Sequence, residues 1–359
     1  MIPPPAPAEP NADRNHWGGF NTLRIAAYAM IVILGSWYML GQLASVLRPL
    51  LLASFLGYIL LPYYRGLSNK LTPPVAITLI ASITTLALLG IAGMVTASVY
   101  DLNTQAPELK LKAVRLFSQV MLWIDSLHLF GPMRPGDKSS ETTAVEKITE
   151  GVLLLVSLIV VGLPEAFAAG LYLLFLLLES SRLPDRVRAA YPNERADQIL
   201  HVFGRINSAI ISYLKAKVKS SLILAVPVGL VLTGFNVRFA FLWAVLTFAC
   251  NFIPYIGTVV AYSLPVGFVF LQFDSWITAT VLAGVLLTIH IVCASMIEPM
   301  LIGRAVGLSP IVILGALSVW GLLWGLPGMF LAVPLTVVVK IVLENIEITK
   351  PVGRLLGGE

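Results

Sequence analysis

Glu298 is the acid in this chain that most demands an explanation, because it closes a long apolar run and directly precedes Pro299. An ionisable group within or at the edge of a membrane span is expensive, and a carboxylate kept there suits cation binding, proton carriage or pairing with a base. The plainer alternative is an interfacial Glu paired with Arg304. His290 stands eight residues earlier, about two helical turns, and so shares a face with Glu298. Its imidazole titrates near neutrality and could relay protons there, although a lone buried His is more often a hydrogen-bonded packing residue. Glu165 looks like a second mid-span charge. However, Gly162-Leu-Pro164 can start a helix that places this acid in its first turn, near the outer interface, where the helix dipole favours it. Lys340 and Glu344 stand four apart and can pair on the last helix.

Two breaks in apolar sequence carry a different chemistry. The first is Asn251-Phe-Ile-Pro-Tyr-Ile-Gly257 and the second is Trp324-Gly-Leu-Pro-Gly-Met329. The amide of Asn251 and the phenol of Tyr255 supply donors and acceptors to a small polyhydroxylated ligand, and Pro254 frees backbone carbonyls that can hold a cation. The structural readings are that Asn251 caps a half-helix and Tyr255 plugs it, while Gly257 relaxes the backbone. Gly325 and Gly328 flank Pro327 and permit close helix approach.

The composition says what kind of protein holds these groups. Of 359 residues, 57% are hydrophobic and 12% charged, about half the charge of a soluble domain. So little charge cannot cover globular domains, and the chain reads as an all-α, polytopic membrane protein. The net charge of +5 follows membrane topology rather than a nucleic-acid surface, because the basic residues lie beside apolar stretches. Cys250 and Cys293 lie inside apolar runs and the four histidines are scattered, so no disulfide framework, metal centre or cofactor is expected. No GxxxxGK[ST], HExxH or GxSxG sequence occurs. ATP-driven transport within this chain and intramembrane hydrolysis are both disfavoured, which leaves coupling by H+ or Na+, or passive movement.

About eight hydrophobic segments follow from the need for roughly 20 apolar residues per span. After a disordered Pro-rich tail, 1–21, the membrane helices of 22–99 comprise 23–45, 50–62 and 75–99, with a break at Arg48-Pro49. Segment 100–150 holds an amphipathic helix over 107–130 and a polar loop; 151–178 is the next span. Segment 179–219 is a basic amphipathic stretch, 220–348 holds the remaining spans, and 349–359 is a tail. Segment 100–150 carries six Lys or Arg against seven acids, and segment 179–219 carries eight against four, so the latter is cytoplasmic, as are both termini. Blocks 238–272 and 308–347 are too long for one span and too short for two. Each carries its break midway, which predicts two re-entrant hairpins in an inverted repeat, with a substrate site at the broken helices.

The stretches LYLLFLLLESSRLPDRV, NFIPYIGTVVAYSLPV, IEPMLIGRAVGLSPIVIL and WGLPGMFLAVPLTVVVKIVLE resemble, in order and spacing, the AI-2E family of transporters. The resemblance is strong over about residues 150–347 and looser over 20–100. It implies a multi-pass protein of the bacterial inner membrane and a homo-oligomer, with five copies the size considered, whose partners are membrane lipid and a small-molecule or ion substrate. It also implies either efflux of the quorum-sensing signal autoinducer-2 or sodium or lithium/proton antiport; a structural or channel-like oligomer is the remaining reading.

Overall fold

The computed structural model describes residues 14–126, 163–179, 182–302 and 307–357. The Pro-rich start of the tail, the polar loop before residue 150, the beginning of the 152–178 span and Arg304 lie outside the described residues. Among the described residues every regular element is helical. The chain divides into two units, Met1–Leu47 and Arg48–Glu359. The first contains α1, Arg14–Gln42, whose Ile31, Leu34, Trp37 and Tyr38 are exposed, as side chains facing hydrocarbon are.

Helix α2, Ala44–Ser68, follows a break at Leu43 rather than at Arg48-Pro49. Helix α3, Pro73–Ser126, runs for 54 residues and merges the expected span with the expected amphipathic helix. Pro107 does not break it, because that proline lies beyond the apolar stretch, where water can satisfy the carbonyl it frees. Helix α4 is described over Leu163–Glu179; the expected start at Gly162-Leu-Pro164, and with it the first-turn place of Glu165, adjoins residues outside the described ones. The helix packs Ala169 and Leu173 against Ala53 of α2. Helix α5 covers Leu183–Ala190.

Helix α6, Asn193–Gly234, is continuous across the expected boundary between a surface stretch and a span. Ile210, Leu214, Leu224, Val228 and Leu232 form a buried stripe along it. The first hairpin is α7, Ala240–Cys250, with α8, Ile256–Gln272. Helix α9, Trp276–Val292, passes through a π turn at Cys293–Ile297 into α10, Glu298–Ile302. Pro299 accounts for the turn: it cannot bond to the carbonyl of Ser295 and its ring crowds it, and one inserted residue relieves both. The second hairpin is α11, Pro310–Trp324, with α12, Leu326–Glu344; α13, Lys350–Leu355, follows. Among the described residues five helices are long and apolar enough to cross a membrane: Ala44–Leu61, Pro74–Leu102, Asn193–Gly234, Trp276–Leu301 and Leu326–Glu344. The shorter apolar helices include α7, α8 and α11, three of the four arms of the hairpins.

The main core joins α3, α6, both arms of the first hairpin and α9 around Val95, Val228, Leu242, Trp243, Val269 and Leu282. In lipid such contacts rest on close packing rather than on escape from water; at Gly229 a methyl would lie 3.0 Å from the Ala244 methyl. Prolines inside these helices leave carbonyls without their i+4 partner, and neighbouring helices supply donors. Pro227 frees Ile223, whose carbonyl accepts from the Cys293 thiol at 3.9 Å. Pro265 frees Ala261, whose carbonyl accepts from the buried Thr247 hydroxyl at 3.4 Å across the hairpin. Thr247→Val should therefore cost about 1 kcal/mol, the price of one lost intramembrane hydrogen bond. A denaturant titration in micelles that shows no loss would mean that carbonyl has no need of its partner.

Candidate functional site

Between α7 and α8 the chain turns through Asn251–Tyr255, and the start of this tip, Asn251 and Phe252, is buried, with Asn251 against α6. The Asn251 amide, 3% exposed, donates to the Ser221 hydroxyl at 3.0 Å. Ser221 lies 13 residues before the end of α6, about 20 Å along the axis and so past the centre of a hydrocarbon layer about 30 Å thick. The tip thus carries polar groups deep into the membrane, where irregular backbone survives only if protein or a wet cavity satisfies it.

The conformation of the tip is strained. Tyr255 has φ 61° and ψ −65°, and the Ile256 N–H donates to the Pro254 carbonyl at 2.7 Å. That is a tight three-residue turn of the unfavourable hand. A non-glycine residue held so costs on the order of 1–3 kcal/mol and persists where its surroundings dictate it. The Tyr255 side chain, 51% exposed, leaves little packing to lose. Tyr255→Gly should raise the thermal midpoint, with a net gain of about 1 kcal/mol after the entropy cost of glycine. A fall in midpoint would show that the phenol, not the backbone, governs this position.

One turn before Ser221 lies Lys217, 1% exposed, ion-paired with Glu298 at the start of α10. The two ends of the pair differ. The lysine side chain is sealed, whereas 25% of the glutamate side chain remains uncovered, so anything reaching the pair arrives on the carboxylate side. Another turn earlier, Tyr213 is buried and its hydroxyl has no partner among the described residues. Ser220 is also buried and donates to the Lys217 carbonyl at 3.0 Å. Tyr213, Lys217, Ser220 and Ser221 therefore make a polar band on the inward face of α6, closed by Asn251 on one side and Glu298 on the other.

Of the residues singled out in the sequence, Asn251 and Glu298 meet this band on adjacent turns of α6. Pro254, Tyr255 and Gly257 shape the first tip. His290 lies elsewhere: its Nδ1 is 3.0 Å from the Leu286 carbonyl and its ring meets Tyr262 of α8 edge-on at 5.5 Å. Glu298 turns instead to α6. Gly325, Pro327 and Gly328 form the second tip, where Gly325, with φ 66° and ψ −143°, occupies backbone space essentially confined to glycine. The two hairpins meet near their ends. Phe252 stacks on Phe330 of α12 at 4.6 Å, and Ile253 packs on the Ala316, Leu317 and Ala332 cluster of the second hairpin. Lys340 and Glu344 pair as expected at 3.6 Å.

Sequence reasoning missed Tyr213 and Lys217, having assigned 179–219 to a basic amphipathic stretch, and passed over Ser221 in the span that follows. The signal was present: Lys217 and Ser221 continue the three-and-four spacing of Ile210 and Leu214 into Leu224 and Val228, so they fall on the buried stripe.

No group of three or more His, Cys, Asp or Glu capable of holding a metal occurs among the described residues. The arrangement offers one carboxylate, one ammonium, an amide and several hydroxyls inside a helical bundle. That set can recognise a small polar solute or exchange one monovalent cation for another at the carboxylate.

The sequence profile of the AI-2E family transporter matches residues 27–348. YhhT of Escherichia coli strain K12, provisionally named as a transport protein, is 30% identical over 338 residues, 92% of each chain. A Haemophilus influenzae protein with a similar provisional transport name is 28% identical over 337 residues, 92% of this chain and 94% of its own. TqsA of E. coli strain K12, named as an AI-2 transport protein, is 30% identical over 307 residues, 84% of this chain and 86% of its own.

Proposed function

Because the chain belongs to the AI-2E family of transporters, we propose that it is a secondary transporter of the bacterial inner membrane, with both termini cytoplasmic, exporting a small polar solute past the first hairpin tip. The observation that carries this reading is the Asn251–Ser221 contact beside the buried Lys217–Glu298 pair. Polar groups at such depth are costly and are kept where a substrate or ion passes. Hydroxyls, an amide and one paired charge suit a small polyhydroxylated molecule, and the name of TqsA makes AI-2 the first cargo to test. The homo-oligomer implied by the family, and a transport rather than enzymatic role, belong to the same proposal.

A second reading, sodium or lithium/proton antiport, is favoured by the asymmetry of the ion pair. A cation reaching the uncovered side of Glu298 competes with the Lys217 ammonium, and a displaced ammonium desolvated inside protein releases its proton.

Proteoliposomes separate the two. Labelled AI-2 should leave vesicles holding the wild-type protein, and Asn251→Ala should slow it about tenfold, the equivalent of one hydrogen bond of about 1.4 kcal/mol. Proton flux on adding sodium or lithium, abolished by Glu298→Gln, would instead establish antiport. AI-2 efflux equal in wild type and Asn251→Ala would remove the hairpin-tip site from the account.

A further inference from the structure

At the inner end of the bundle, the long helix α6 and the second hairpin arm α12 part to leave an open cleft of about 580 Å³. Its α6 wall is formed by His201, Gly204, Arg205 and Ser208, which repeat at three and four and so line one face. Its α12 wall carries Lys340 and Glu344. We propose that this cleft is a binding site for an anionic group, a phosphate or a carboxylate, distinct from the polar band deeper in the membrane.

Three observations carry the assignment. Among the described residues lining the cleft the one carboxylate is already bridged: Glu344 lies 3.2 Å from Arg205 and 3.6 Å from Lys340. Among the described lining residues, two cations, Arg205 and Lys340, stand against one acid, Glu344, and leave a net positive cleft. The guanidinium of Arg205 carries five N–H donors in a flat fork suited to the paired oxygens of phosphate or carboxylate. Lys340 is held in place by donating to the Gly307 carbonyl at 2.6 Å, and the Ser208 hydroxyl supplies a neutral donor opposite. Finally, the space is made by what is missing from α6. Gly204 presents no side chain, and a methyl built there meets nothing within 4 Å.

Depth narrows the source of the anion. Arg205 lies 29 residues before Gly234, about 44 Å along α6, whereas a bilayer with its headgroups is about 40–45 Å thick. The cleft thus opens where inner-leaflet headgroups meet the cytoplasm, and either a lipid phosphate or a soluble anion can reach it. An occupant would bridge α6, which carries the polar band, to α12, which carries Phe330. It would tie the helix before the first hairpin to the second hairpin from the cytoplasmic side.

The test uses the full chain in phosphatidylcholine nanodiscs. Inorganic phosphate, compared with chloride at equal ionic strength, should raise the thermal midpoint saturably. Gly204→Leu, which puts a side chain into the cleft without removing any of its polar groups, should abolish that rise, and Arg205→Gln should weaken the half-saturation concentration about tenfold. In phosphatidylglycerol nanodiscs without phosphate, a midpoint raised in wild type but not in Gly204→Leu would identify the lipid headgroup as the occupant. If Gly204→Leu does not fold, Arg205→Gln alone decides between a specific and a general salt effect. The proposal fails if neither probe stabilises the wild type, or if the stabilisation is the same in the variants.

Discussion

Lys217→Met should lose about 3 kcal/mol and Lys217→Met combined with Glu298→Met should recover most of it, while neither protein transports. The single change removes a sealed ammonium and leaves a carboxylate with no counter-charge. Breaking one side of a buried pair typically costs about 3–5 kcal/mol, and the low end applies because part of Glu298 is uncovered. Replacing both charges with apolar side chains of similar length removes the desolvation cost of both, so the double variant folds. It nevertheless lacks the charge that the polar band needs for an ion or solute. Size-exclusion profiles and thermal midpoints of the four proteins form a cycle, and the coupling between the two sites is its result. If the two single changes simply add, Lys217 and Glu298 do not act as a pair, and the site loses its charged half.

The second large effect concerns two glycines in equivalent places. In the first turn of α8, a methyl on Gly257 would lie 1.7 Å from the Cys250 carbonyl oxygen. In the first turn of α12, a methyl on Gly328 would lie 2.0 Å from the Trp320 carbonyl oxygen. In both hairpins the returning helix comes against the backbone of the outgoing one, and backbone cannot give way as a flexible side chain can. Gly257→Ala and Gly328→Ala should each open the hairpin and cost more than about 3 kcal/mol, read as loss of the monodisperse protein after extraction. Gly267→Ala, in the same helix as Gly257 but with nothing within 4 Å of the new methyl, should be neutral or gain up to about 1 kcal/mol. Similar behaviour of all three would mean that the hairpin can relax around a side chain.

These predictions rest on features of very unequal legibility. The hairpin breaks could be read from sequence, because a proline and a glycine midway in the long apolar blocks 238–272 and 308–347 leave a helix few alternatives. The Lys340–Glu344 pair was legible for a similarly local reason, its four-residue spacing on one helix. The continuity of α3 and α6 was not. Charge and hydropathy change sharply at Asp101 and Lys219, yet helical hydrogen bonds propagate through such a change without noticing it. The partner of Glu298 was hidden for a different reason. Local spacing offered Arg304, six residues away and outside the described residues; among the described residues the partner is Lys217, 81 residues away, and distance along the chain carries no trace of it. His290 and Glu298 share a spacing but not a partner, since one turns to α8 and the other to α6.

The stacking of Phe252 on Phe330 limits how this molecule can move. Two hairpins that pass each other and hold at their ends are not a pair of doors on separate hinges; displacing one drags the other. A cycle that exposes the polar band first to one side of the membrane and then to the other must therefore carry both loops together past α6, as a shuttle carries thread, or must first unstack the two rings. The speed of transport would in the second case be set by how often two phenyl groups part, a quantity that a smaller residue at either position would change without touching any polar group.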